Sequence, residues 1–158
     1  MFTQLEDKSN ADGRWYENEL KQSFPKEDVD RIFSQDGVDK DYDFKGFAML
    51  YKWAGGAIPE SMTVINIGCY LAPQCYYFRN HAKYIGVDSS DLERFKMENT
   101  EHYTGSIIAF VNDYGFKDMP KEERAKYYVI CSREFSDTER WMMDELFGEN
   151  HMTFYPSW

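Results

Sequence analysis

The chain has 158 residues, enough for one domain with a sizeable core, and its 42% hydrophobic content excludes a disordered polymer. The formal net charge of −10 is spread evenly: residues 1–60 carry 8 basic against 13 acidic side chains, and residues 61–158 carry 10 against 15. No basic stripe exists to neutralise phosphates, so direct nucleic-acid binding is not expected.

Along the chain, residues 1–13 are polar and read as a loose arm. Trp15, Leu20 and Phe24 recur at near-helical spacing, and Ser23-Phe-Pro-Lys26 opens a short helix carrying Val29, Ile32 and Phe33. Asp36 to Asp43 reads as a charged turn. A calcium loop starting at Asp39 fails there, because its sixth and twelfth places hold Phe44 and Leu50 instead of Gly and Glu. Phe44 to Ala54 predicts a stronger helix, stopped by Gly55-Gly56.

From residue 62 the pattern alternates. Strands are expected at Val64–Gly68, Tyr84–Asp88, Ser106–Asn112, Tyr127–Cys131 and Met152–Tyr155. Helices are expected at Pro73–His81, Asp91–Thr100, Pro120–Lys126 and Asp137–Phe147. Strands separated by helical crossovers imply an α/β fold: a three-layer, Rossmann-like sandwich with a mainly parallel sheet of about five strands. Residues 1–60 form its N-terminal arm and helical extension, and residues 61–158 its core, within one compact domain.

The most informative stretch is Thr63-Val-Ile-Asn-Ile-Gly-Cys-Tyr-Leu-Ala-Pro-Gln74, followed by Lys83-Tyr-Ile-Gly-Val-Asp88. The 20 residues from Gly68 to Asp88 match a strand–turn–helix–strand unit that offers a turn to a nucleotide and a carboxylate to its ribose. Ser89 and Ser90 after it equally suit a plain helix cap. Asn112 and Asp113 suit an adenine contact or a turn before Gly115.

On these residues the chain resembles the class I S-adenosylmethionine-dependent methyltransferases over roughly residues 44–155. The resemblance implies a cofactor site at Gly68, Cys69, Tyr70, Asp88, Ser89, Asn112 and Asp113. Arg133 and Glu134, after the fourth strand, are the catalytic candidates facing substrate. The chain departs from the family where Asn66 replaces an acid, and Tyr70 and Ala72 replace glycines. Neither a Pro-Pro-aromatic nor a Pro-Cys signature follows the fourth strand. Those departures predict poor cofactor binding and weak or absent methyl transfer, with a small molecule or protein as substrate if turnover occurs.

The alternative reading is an acidic protein-binding module or inhibitor, which would occupy the nucleic-acid-binding groove of a partner as phage counter-defence proteins do. A generic nucleotide-cleft domain using another ligand is a third reading. Cys69, Cys75 and Cys131 lack CxxC spacing, so no disulfide framework or metal site is expected. Cysteine usage and the lack of an apolar leader or span point to the cytoplasm, away from membranes. With 18% aromatic residues, some rings should line a cleft or an interface.

Overall fold

A computed structural model describes residues 3–7, 15–33, 44, 47–132 and 135–156. The elements run β1 (Thr3–Asp7), α1 (Trp15–Leu20), α2 (Lys26–Phe33), α3 (Ala48–Ala57), β2 (Thr63–Ile67), β3 (Lys83–Asp88), β4 (Thr100–Thr104), α4 (Ile107–Tyr114), α5 (Lys121–Arg124), β5 (Tyr127–Cys131), α6 (Asp137–Phe147) and β6 (His151–Pro156). A 3₁₀ helix, Pro73–Phe78, follows β2. The strands form one six-stranded sheet in the order β1-β6-β5-β2-β3-β4, and every pairing is parallel. The fold is therefore the expected three-layer, Rossmann-like α/β sandwich, with β2 in the interior.

The pleat sorts side chains into two cores. Val64, Tyr84, Ile130 and Met152 face one core with residues of α1, α2, α3 and the 3₁₀ helix. Ile65, Ile67, Ile85, Val87, Val129 and Cys131 face the other, against α4 and α6. Being covered on both faces, β2, β3 and β5 must be nearly continuously apolar, which made them legible.

Several expectations are corrected. Thr3–Asp7 is not a loose arm but the edge strand β1, paired with β6 from Thr3 opposite Met152. Ser106–Asn112 is not a strand. Ser106 caps α4 by accepting from the Ala109 N–H, Gly115 ends it at φ 70, and Ile107, Phe110 and Val111 are buried at helical spacing. The third strand in sequence after residue 62 is instead β4, in a stretch expected to be helix up to Thr100; residues 91–97 have no regular structure.

Helix α3 runs through Gly55-Gly56 and ends at Ala57. Gly55 serves packing there: a Cβ on it would lie 2.3 Å from the Tyr77 carbonyl oxygen of the adjacent 3₁₀ helix. The charged turn at 36–43 lies outside the described residues.

Candidate functional site

Strand order reverses at β2: the chain moves through β3 to β4, then returns to place β5 on the other side of β2. In open parallel sheets the crevice beyond the carboxyl ends at such a point is where ligands bind. Gly68, Asp88 and Ser132 leave the sheet together at this edge. The Gly68 N–H donates to the Val87 carbonyl at 2.8 Å, and the Ser132 hydroxyl donates to the Gly68 carbonyl at 2.9 Å.

The loop after β2 has left-handed backbone at alternate residues: Gly68 at φ 76, Tyr70 at φ 49 and Ala72 at φ 59. These are the three positions where the family resemblance places glycines. A side chain in this region costs roughly 1–2 kcal/mol per residue, so the surroundings must impose it. They do so through backbone donors. The Tyr70 N–H donates to Asp88 Oδ2 at 3.0 Å, and the Ala72 N–H to the Cys69 carbonyl at 2.9 Å. Tyr70 is half-buried, whereas Ala72 is fully buried and leads into the 3₁₀ helix.

Asp88 is thus an internal tie. While Oδ2 holds Tyr70, Oδ1 accepts from the Ser90 N–H at 2.9 Å and the Ser90 hydroxyl at 2.6 Å. A ribose diol would have to displace one of these donors. Ser89 is exposed and Asp88 half-buried.

Below them lies Arg94, only 7% exposed. Its guanidinium donates to the carbonyls of Gly86, Asp88, Ser90 and Tyr103 and to the Thr104 hydroxyl, at 2.9–3.3 Å. It joins the carboxyl ends of β3 and β4 to the irregular segment that follows β3.

Beneath the loop sits a buried polar network. Asn66 Oδ1 accepts from Tyr84 OH at 2.6 Å and from Gln74 Nε2 at 2.8 Å. Gln74 Nε2 also reaches the Cys69 carbonyl at 3.0 Å, and Asn66 Nδ2 lies 3.5 Å from Tyr51 OH. Burial pushes the Tyr51 hydroxyl's pKa up, so it stays protonated. Asn66 is a neutral amide that lies under the loop.

Sequence reasoning did not mark Arg94, Gln74, Tyr51 or Tyr84 as site residues. Asn66 was a usable signal, since a polar residue between Ile65 and Ile67 in a central strand needs buried partners. Arg94 offered none.

Other candidates separate from this edge. Asn112 and Asp113 are exposed on the last turn of α4. The next residue, Tyr114, bonds Glu101 near the start of β4, toward the opposite edge of the sheet. Asp113 accepts from Tyr103 OH. Arg133 and Glu134 lie outside the described residues.

Cys69, Cys75 and Cys131 are buried and in no disulfide, and burial pushes the thiols of Cys69 and Cys75 up to about 12, far from the thiolate a nucleophile requires. His81 Nε2 meets the Ile58 carbonyl at 2.9 Å and His102 Nε2 meets that of Phe95 at 2.8 Å; His151 Nε2 meets Asp144 at 2.9 Å.

Among the described residues no group of three or more His, Cys, Asp or Glu side chains could hold a metal ion, and no helix is long and apolar enough to cross a membrane. A groove of about 250 Å³ opens elsewhere, between α2 and residues 93–96, and mixes Asp28, Arg31, Glu93 and Lys96 with Phe24 and Phe95. Its mixed charges select no single ligand class.

Among the described residues, the side chains at the switch-point edge include the Asp88 carboxylate, the hydroxyls of Ser90 and Ser132, and the Arg94 guanidinium, all engaged in hydrogen bonds within the chain. Compared with known protein families, curated proteins and solved structures, the chain matches none.

Proposed function

We propose that the chain is a methyltransferase-like domain that has kept the frame and loop shape of a cofactor site but acts by binding, with methyl transfer weak or absent. One observation carries this reading: the Asp88 carboxylate, the group that would hold a ribose, is engaged by Tyr70 and Ser90 of its own chain. S-adenosylmethionine fits these residues poorly as arranged, because Tyr70 also puts a side chain where the close approach of a cofactor calls for none.

Methyl transfer needs acceptor and sulfonium aligned at near-contact distance, and small misplacements cost orders of magnitude. Without a basic surface, any residual substrate would be a small molecule or a protein.

The net charge of −10 favours the companion reading, an acidic protein-binding module or inhibitor. The test combines thermal unfolding with S-adenosylmethionine or S-adenosylhomocysteine and mass-spectrometric detection of methyl transfer to cell-extract components. We expect neither stabilisation nor multiple turnover. A true ligand at 100 times its Kd would add about 2.7 kcal/mol. Turnover that disappears in Asp88→Ala would contradict the proposal.

A further inference from the structure

The outer face of α6 carries a tryptophan set among carboxylates. Trp141 is 65% exposed and makes no ring or cation–π contact among the described residues. Asp137, Asp144 and Glu145 share its side of the helix at i−4, i+3 and i+4, and the exposed Glu149 lies beyond Gly148, where the helix ends.

Only part of this pattern serves the stability of the helix. Asp137 suits the helix N-terminus, but the last turn has no basic residue and carries acids where the macrodipole is already negative. Asp144 has a structural partner in His151, whereas Glu145 and Glu149 have no ion pair or side-chain hydrogen bond among the described residues. The inner face, with Met142, Met143, Leu146 and Phe147, already anchors the helix to the core.

We propose that this face of α6 docks an arginine-rich surface of a partner protein, with Trp141 as the anchor. The proposal rests on the binding reading above and names the chemistry of its partner. A guanidinium stacks on an indole face and pairs bidentately with a neighbouring carboxylate, so the two features of this face recognise the same side chain. Lysine satisfies the charge but not the planar fork. Charge argues against other occupants: a second copy brings a further net −10, and nucleic acid and anionic membranes are repelled.

The probes are dye-labelled nona-arginine and nona-lysine peptides, titrated by fluorescence anisotropy at physiological ionic strength. The wild-type chain should bind nona-arginine about fivefold more tightly than nona-lysine. Trp141→Ala should abolish that preference, and Glu145→Gln, which removes the carboxylate at i+4, should weaken nona-arginine about twofold or more. Trp53→Ala, which removes a tryptophan 47% exposed on α3, should change nothing. Equal affinity for the two peptides, or equal losses from Trp141→Ala and Trp53→Ala, would overturn the proposal. So would a dimer in sedimentation that Trp141→Ala dissociates, since the face would then bind a second copy. Methyl-transfer turnover would sink the binding reading whatever Trp141 does; a silent Trp141→Ala without turnover would sink only the assignment of this face.

Discussion

The two faces of β2 are built from different chemistry, although they alternate along five residues. Toward α4 and α6, Ile65 and Ile67 join a wholly hydrophobic cluster that includes Phe110, Phe116 and Phe147. Toward α3 and the 3₁₀ helix, Val64 is followed by Asn66, which gathers Gln74, Tyr84 and Tyr51. Packing on the first face is non-directional and supplies stability in proportion to buried area. Hydrogen bonds on the second are directional, and they lie under the loop whose Tyr70 and Ala72 hold left-handed backbone. The polar face therefore fixes a shape at the carboxyl edge, while the apolar face holds the layers together.

The largest effect should come from the apolar side. Ile65→Ala empties a fully buried position and should cost about 3–4 kcal/mol in urea unfolding, within the usual range for such truncations. A loss under 1 kcal/mol would mean that α4 and α6 collapse onto the gap and that the apolar face is less rigid than described.

Arg94→Ala should come next, at about 3 kcal/mol, because five acceptors at the ends of β3 and β4 lose a charged donor together. Arg94→Lys should recover only part of it. Full recovery would show that charge, not the guanidinium fork, matters there.

Gly86→Ala probes the same edge from within the sheet. Its Cβ would lie 2.6 Å from His102 Nδ1 and 2.8 Å from Cys69 Sγ, so a loss of about 2 kcal/mol is expected. An unchanged denaturation midpoint would show that this packing yields freely.

Smaller still is the response to pH. Burial pushes both His102 and His151 below the ordinary histidine value, so the folded chain favours their neutral forms. The unfolded state then binds more protons, and the stabilisation is present above the unfolded pKa of about 6.5 and lost as pH falls through and below it. The urea midpoint should decline from pH 7 to 5.5, and His151→Gln should flatten part of that decline. A midpoint that rises on acidification would reverse the assignment.

The smallest effect is expected at the loop. Tyr70→Gly relieves left-handed strain but loosens the unfolded chain, so the two terms should cancel to within about 1 kcal/mol.

What the sequence disclosed follows the same division. Strands β2, β3 and β5 were legible because burial on both faces writes an apolar run into the chain. The edge strand β4 was not: Thr100-Glu-His-Tyr-Thr104 has no fully buried side chain, so its pairing is backbone chemistry with little side-chain signature. Ile107-Ile-Ala-Phe-Val111 misled in the opposite sense. Five apolar residues in a row resemble a strand, yet Ser106 and Gly115 were both present as helix caps, and only three of the five are buried. At the candidate site, the 20-residue spacing paired Gly68 with Asp88, and the structure places both at the carboxyl edge of the sheet. The engagement of Asp88 by Tyr70 was hidden, because it depends on a backbone N–H whose direction no residue type announces.

That engagement is the centre of the account, and urea denaturation of Asp88→Ala tests it most directly. If Asp88 ties the loop to the sheet, its removal leaves the donors of Tyr70 and Ser90 without their acceptor, and the variant should lose about 2–3 kcal/mol with no ligand present. A loss below 0.5 kcal/mol, the size of an ordinary surface substitution, would contradict the account and leave the carboxylate free for a ribose.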